Sequence, residues 1–342
     1  MIRIGKVLII GGGAAGCTAA LRICEAGIPV CLAEREKQLG GHAAAYGCKA
    51  GDACVNCGVC LTGPLWDAVR EKPGIELLLN TRPVDLRRVP GGFSMLAERE
   101  GIRFVVDAGN VFLASGFSQL EKHDGANTEL PVSPRILTGY EAESRLKASG
   151  KGRLFPETPR KIGFILCVGS RAVIRGAAHC SKVCCAYSMR MAKLLLYLYP
   201  ETKITFFYMD LQEVKPRNIR DELARSGVRF IRCRPAGIGL SSGGFPVVRC
   251  ESGNESLSEE FDYIIRCTGI RPNGDNGLLA ELLTLRTDKD GFLQTLRPPE
   301  ETGVWLAGTV RGPLTIAETA ADARGTADRL LRHLKGANAV CS

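Results

Sequence analysis

Two groups of residues in this 342-residue chain have the types and spacing to do chemistry. The first is Gly11-Gly12-Gly13-Ala14-Ala15-Gly16, a G-x-G-x-x-G turn, with Glu34 lying 18 residues beyond its last glycine. Gly11 permits a tight turn, Gly13 lets backbone approach a pyrophosphate, and Gly16 lets a helix pack on a strand. The amides opening that helix, at Ala14 and Ala15, would hold the phosphates, and the Glu34 carboxylate, with Arg35 next to it, would meet ribose hydroxyls. The second group is Cys167, Cys180, Cys184 and Cys185, spaced C-x12-C-x3-C-C. Four thiolates are what an iron–sulfur cluster requires. Cys180 and Cys184 share a helical face, and the adjacent Cys184 and Cys185 reach one cluster only where a helix begins. Such a helix start also favours the cluster's negative charge. Zinc accepts four thiolates too, and buried or disulfide-paired cysteines are the remaining reading.

A third set is Cys48, Cys54, Cys57 and Cys60. Cys54-x2-Cys57-x2-Cys60 is the opening of a ferredoxin run without its closing Cys-Pro, and Cys48 could supply the fourth thiolate. A second cluster, a Cys57/Cys60 redox dithiol and a structural loop remain as alternatives. Cys17, Cys24, Cys31, Cys233, Cys250 and Cys267 fall among apolar neighbours and read as small buried hydrophobes, while Cys341 is terminal.

The elements that must position these residues follow from hydrophobic patterning. Val7 to Ile10 is continuously apolar, as a buried parallel strand is. Cys17 to Glu25 reads as a helix stopped by Gly27, and Ile28 to Ala33 as the second strand of a β-α-β unit. Gly40 to Pro64 reads as irregular, Ile75 to Leu79 as a strand, and Arg82 to Glu98 as a β-meander turning at Pro90-Gly91-Gly92. Asn110 to Ser115 is a further buried strand ending at Gly116, and Glu141 to Lys147 a short helix. A second α/β unit then begins: strands at Lys161 to Val168, Lys203 to Tyr208 and Val228 to Arg232, helices at Ser181 to Tyr199 and Ile219 to Ser226. Val247 to Tyr263 is strand, turn and strand, and Tyr263 to Thr268 leads to Gly269 as the earlier strand leads to Gly116. Val304 to Gly308 and a helix from Ile316 to Leu334 close the chain.

Composition narrows the function. Apolar residues make up 45% and charged residues 24%, the balance of a globular protein rather than a disordered or fibrous one. Apolar runs are too short for a membrane span. Val7 to Ile10 is too short for a secretory signal, which implies a cytoplasmic protein. Fifteen cysteines in that setting point to metal or redox chemistry rather than a disulfide framework. The net charge of +9 is spread along the chain, and 2 Trp, 7 Tyr and 12 Phe offer few stacking platforms, which argues against nucleic acid. An anionic cofactor or acidic protein partner accounts for it. No Ser/His/Asp signature or G-x4-G-K loop is present, and four histidines serve hydrolysis poorly.

Several motifs together carry a resemblance. Leu39-Gly40-Gly41 follows the acidic residue, and Val304-Trp305-Leu306-Ala307-Gly308 precedes a helix beginning at Ile316. Both are similar to flavin motifs of two-dinucleotide-domain flavoproteins, although Thr309 stands where that class has Asp. The middle of the chain has one glycine, Gly169, where thioredoxin-reductase-like proteins carry a second G-x-G-x-x-G. Cys167-Val168-Gly169-Ser170-Arg171, Cys180-Ser181-Lys182-Val183-Cys184-Cys185 and Cys57-Gly58-Val59-Cys60-Leu61-Thr62-Gly63-Pro64 resemble the A-type subunit of heterodisulfide reductase. The likeness extends to short forms in the heterodisulfide-reductase-like complexes of sulfur oxidisers.

The resemblance implies FAD beside a 4Fe-4S cluster, with Cys167, Cys180, Cys184 and Cys185 as its ligands. It implies an electron-transfer subunit joined by partner subunits, in sulfur metabolism, and a possible homodimer. Gly40, Gly41, Ser115, Gly116, Gly308, Thr309 and Ile316 would complete the flavin site. Arg190 stands where the family often has Lys near the flavin, and with Cys57 and Cys60 it is the candidate for a catalytic role; His179 replaces a common Tyr. The expected fold class is α/β: a thioredoxin-reductase-like flavoprotein with two dinucleotide-binding domains, parallel sheets and a small β-meander. Residues 1–158 and 271–342 would form the FAD domain, and 159–270 an inserted α/β domain carrying the cluster. The rival expectation is a pyridine-nucleotide disulfide reductase using Cys57 and Cys60, or a non-catalytic cluster-bearing assembly subunit.

Overall fold

The computed structural model describes residues 5–120, 131–150, 153–171, 178–212, 218–252 and 255–341. They divide into two compact units: 1–44, 58–118 and 272–342 form the first, 45–57 and 119–271 the second.

The first unit is built on a five-stranded sheet, in the order Val304–Leu306, Asn110–Leu113, Val7–Ile10, Val30–Ala33, Ile75–Leu78. Every neighbouring pair is parallel. Parallel strands need both faces covered, and the Val7–Ile10, Val30–Ala33 and Asn110–Leu113 strands are buried at every residue. Helix Ala14–Glu25 crosses between the first two strands, and Arg22 Nε meets Asp328 Oδ1 of helix Ile316–Cys341 at 2.7 Å. The meander has three antiparallel strands, Thr81–Val89, Gly92–Arg99 and Ile102–Ala108. Its Phe93, Met95 and Ala97 alternate into a core shared with Leu8, Ile10 and Val111.

The second unit repeats the plan. Its five-stranded sheet runs Arg229–Arg232, Lys203–Tyr208, Lys161–Val168, Tyr263–Thr268, Ile136–Thr138, again parallel throughout. Helix Val183–Leu198 buries Met189, Met191, Leu194 and Leu195, in one core with Phe164 and Phe206, whose stacked rings lie 4.7 Å apart. A three-stranded antiparallel sheet, Gly237–Leu240, Pro246–Ser252 and Glu255–Glu260, is added to it.

Most strands and helices lie within two residues of their expected positions. Three differences have physical causes. Helix Thr62–Glu71 occupies a stretch read as irregular, because Pro64 sits in its first turn, where the missing N–H costs nothing. The helix expected at Glu141 begins at Gly139, capped by Thr138, whose hydroxyl accepts Glu141 N–H at 3.1 Å while Glu141 reaches back to Thr138 N at 2.7 Å. The second unit begins before residue 159, because Ile136–Thr138 pairs with Tyr263–Thr268 as the outer strand of its sheet. The segment 45–57 also belongs to this unit. Helix Asn276–Leu283 and the hairpin Leu285–Thr287 with Leu293–Thr295 lay outside the sequence reading.

Candidate functional site

The glycine turn stands at the carboxyl edge of the first sheet, where the Val7–Ile10 strand enters helix Ala14–Glu25. Gly11 has φ +105°, and a Cβ there would stand 2.4 Å from Ala114 O. A Cβ on Gly16 would fall 1.8 Å from Gly11 O, so helix and turn touch through backbone alone. Over Gly13 the space is open, with no atom within 4 Å of a Cβ placed there. No side chain caps the helix at Gly13, so the first amides, at Ala14, Ala15 and Gly16, have no partner from a cap. The result is an uncapped helix N-terminus facing open space, the arrangement that receives a phosphate.

Glu34 is buried at the end of the second strand. Its Oε2 accepts Gly12 N–H at 2.6 Å and its Oε1 accepts Glu36 N–H at 2.9 Å. Each oxygen keeps a lone pair for a further donor. Arg35 points outward, with Nη1 3.7 Å from Asp275 Oδ2. Gly40 N donates to Gly12 O at 2.8 Å, and a Cβ on Gly41 would stand 3.4 Å from Gly13 Cα, so the Leu39-Gly40-Gly41 segment borders the turn.

Ser115 Oγ is closed off from solvent with no hydrogen-bond partner among the described residues, while Ser115 O accepts Asn273 Nδ2 at 2.7 Å. Thr309 Oγ1 lies 4.0 Å from the place of a Gly116 Cβ, and a Gly308 Cβ would stand 2.7 Å from Ala15 Cβ. Gly308 N donates to Asp322 Oδ2 at 2.7 Å, and Ile316 opens the last helix. Every expected flavin-site residue therefore lies in the first unit. An open cradle, an orphaned buried hydroxyl and an acidic group at the second strand fit a bound dinucleotide.

The corresponding edge of the second sheet is built differently. Strand Lys161–Val168 loses register between Ile165 and Val168, and Cys167 has φ +59°. Such a bulge re-aims a side chain at the end of a strand. Helix Val183–Leu198 begins two residues later than expected, with Cys184 and Cys185 in its first turn and no side-chain cap. Cys167, Cys184 and Cys185 are buried in one core. The neighbouring Cys184 thiol lowers the Cys167 thiol to about 7, with Arg171 adding to the effect against burial. Cys185 is lowered by the same thiol, and Cys184 is raised well above its usual range.

Cys180 is half-buried and accepts Lys182 N–H at 3.4 Å. Among the described residues no group of three or more His, Cys, Asp or Glu side chains closes into a metal shell. The donor set itself is soft and thiol-only, three of its members are buried together at an uncapped helix start, and Ser170 Oγ in the same turn is buried without a partner. That donor chemistry fits an iron–sulfur cluster.

Cys17, Cys24, Cys31, Cys48, Cys54, Cys57, Cys60, Cys233, Cys250 and Cys267 are free thiols. Cys54 and Cys60 are exposed and Cys48 and Cys57 half-buried. Arg190 is half-buried, with its charge disfavoured by burial and favoured by nearby Cys57. His179 Nε2 pairs with Ile270 O at 2.8 Å. Cys17, Cys31, Cys233, Cys250 and Cys267 are buried as expected, whereas Cys24 is half-buried and donates to Pro73 O at 3.2 Å. Burial pushes Cys17 up to about 12.

Sequence reasoning missed three charged contacts. Lys49 Nζ meets Glu143 Oε1 at 2.6 Å with both side chains buried, Asp322 holds Gly308, and Arg171 pairs with Asp210. The first joins residues 94 apart, for which no local pattern exists.

The description pyridine nucleotide-disulphide oxidoreductase matches residues 5–327. The chain belongs to that family. Its curated homologues are heterodisulfide reductase subunits of the A type. One, from Methanosarcina mazei, is the A-type subunit of a ferredoxin:CoB-CoM heterodisulfide reductase, and is 26% identical over 96% of this chain and 53% of its own length. Another, from Methanothermobacter thermautotrophicus, is the A-type subunit of an H(2):CoB-CoM heterodisulfide,ferredoxin reductase, and is 31% identical over 68% of this chain and 38% of its own. This chain spans about half the length of the first of these relatives, and less of the second. Thioredoxin reductase of Lactococcus lactis has the same fold, with a TM-score of 0.65 at 17% identity over 97% of this chain and 99% of that one. The expected fold class stands: this member of the family is an oxidoreductase with the architecture of FAD-dependent enzymes. No helix among the described residues is long and apolar enough to cross a membrane.

Proposed function

We propose that this chain is an FAD- and 4Fe-4S-containing electron-transfer subunit of a heterodisulfide-reductase-like complex. FAD exchanges electrons in pairs and such a cluster exchanges them singly, so together they convert one mode into the other. The uncapped amides at Ala14 to Gly16 bind the pyrophosphate, Glu34 accepts from the ribose, and Gly40, Gly41, Ser115, Gly116, Gly308, Thr309 and Ile316 border the rest of the cofactor. Cys167, Cys180, Cys184 and Cys185 hold the cluster.

The observation that supports this reading is the burial of Cys167, Cys184 and Cys185 in one core at the edge of the second sheet, where the turn has Gly169 alone in place of a G-x-G-x-x-G. Ser181 strengthens it. This residue is fully buried, and its Oγ lies 1.8 Å from the place of a Gly269 Cβ, so it fills the cleft a second dinucleotide would use.

The partners are further subunits of such a complex and a second copy of this chain, in the cytoplasm. The pathway is sulfur metabolism, by resemblance to the short forms of the family. A reduced, anaerobic sample should give a low-temperature paramagnetic signal of a reduced 4Fe-4S cluster beside bound flavin. NAD(P)H should leave the flavin oxidised; rapid bleaching by NAD(P)H with no cluster signal would return the chain to the disulfide reductases acting through Cys57 and Cys60.

A further inference from the structure

The short helical turn Gly308–Arg311 has no cap of its own. Ala307 precedes it in extended conformation and offers no side chain to its first amide. Gly308 is buried, and its amide donates instead to Asp322 Oδ2 at 2.7 Å, from the second turn of helix Ile316–Cys341. The other carboxylate oxygen, Oδ1, accepts Arg311 Nη1 at 3.0 Å, so both ends of the turn are tied to one side chain. Backbone contacts hold the rest. Ala307 N donates to Leu113 O at 3.1 Å. Gly308 has φ +77°, and a Cβ there would stand 2.7 Å from Ala15 Cβ and 3.2 Å from Thr319 Cγ2. Thr309 is buried, with Oγ1 4.0 Å from the place of a Gly116 Cβ. The turn therefore borders both the helix start at Ala15 and the strand end at Gly116. A carboxylate that accepts a buried amide while a guanidinium holds its second oxygen makes a charge-assisted bond in a fixed geometry. A buried amide deprived of that acceptor stays unsatisfied unless the turn moves.

We propose that Asp322 is a positioning residue for the flavin. By holding the Gly308 amide it keeps Gly308 against Ala15 and Thr309 beside Gly116, and so slows the loss of the bound dinucleotide. The inference rests on the flavin reading above. Asp322 acts through the turn and needs no contact with the cofactor. What the Gly308 amide requires is an oxygen at a fixed reach. Asparagine has that reach and keeps an oxygen for the amide, without the charge. Glutamate keeps the charge, but carries its oxygens one methylene further from the helix.

The test is the rate at which purified holoprotein releases FAD after dilution, read as the rise in free-flavin fluorescence, with circular dichroism recorded on every sample. Asp322→Ala should release FAD about tenfold faster than wild type, the effect of losing one charge-assisted hydrogen bond. Asp322→Asn should restore most of the wild-type rate, and Asp322→Glu should not. A wild-type rate in Asp322→Ala overturns the proposal and leaves the flavin reading standing. Release as fast from Asp322→Asn as from Asp322→Ala overturns it too, because the Gly308 bond would then not be what holds the cofactor. If Asp322→Ala does not fold, the other two variants decide: faster release from Asp322→Glu than from Asp322→Asn supports the proposal, and equal or slower release overturns it. Wild-type protein purified without flavin overturns the flavin reading, and the proposal with it.

Discussion

In both units a first strand runs into a turn at the carboxyl edge of a five-stranded parallel sheet, and the strand on the other side of that turn ends in a small residue and a glycine. In the first unit these are Val7–Ile10 and the strand ending before Ser115-Gly116; in the second, Lys161–Val168 and the strand ending at Thr268-Gly269. The position is the switch point where open α/β sheets bind ligands. The first unit leaves open space over Gly13. The second places Ser181 against Gly269 and buries Cys167, Cys184 and Cys185 in one core. On the proposed reading, the same sheet would serve a nucleotide or a thiolate set according to a few residues in one turn.

This contrast can be broken from either side. Gly11→Val should have the largest effect. It forces a β-branched residue to φ +105° against Ala114 O, and left-handed strain alone costs about 1–3 kcal/mol. Purified variant protein should contain no flavin. Cys184→Ala should do the reverse, with iron and sulfide lost and flavin retained, because Cys184 lies in the second unit and every expected flavin-site residue in the first. Flavin and iron assays on the two variants form a crossed pair, and loss of both cofactors in both variants would refute the division into two sites.

Lys49→Met sharpens the contrast in stability. Lys49–Glu143 is the one ion pair among the described residues with both side chains 5% exposed or less, and it lies in the second unit. Removing one partner of a buried pair costs about 3–5 kcal/mol. Burial raises the folded-state pKa of Glu143, while Lys49 opposes that rise. A raised carboxyl contributes stability at acid pH that is lost as pH climbs through its folded value. The deficit of Lys49→Met should therefore be small below the ordinary carboxylate range and grow toward neutral pH, as denaturant midpoints at the two extremes would read.

The first site was legible in the sequence because its parts are local. Gly11, Gly13, Gly16 and Glu34 fall within one β-α-β unit, whose geometry the motif dictates. Adjacent Cys184 and Cys185 could meet one cluster only at a helix start, the helix was expected from Ser181, and it begins at Val183. What stayed hidden depends on contacts distant in sequence. Ile136–Thr138 is three residues long and gains its identity only by pairing with Tyr263–Thr268. Arg171 and Asp210 lie 39 residues apart, on a turn and a strand end, with no periodicity to join them. Helix Thr62–Glu71 was hidden by Gly63-Pro64, which reads as a breaker unless the proline falls in the first turn.

The most direct test of the two-site account is an assay of flavin, iron and acid-labile sulfide per chain in protein purified without oxygen. The account predicts one flavin with about four iron and four sulfide. About eight of each would add a second cluster at Cys48, Cys54, Cys57 and Cys60. Flavin with no iron would contradict the account.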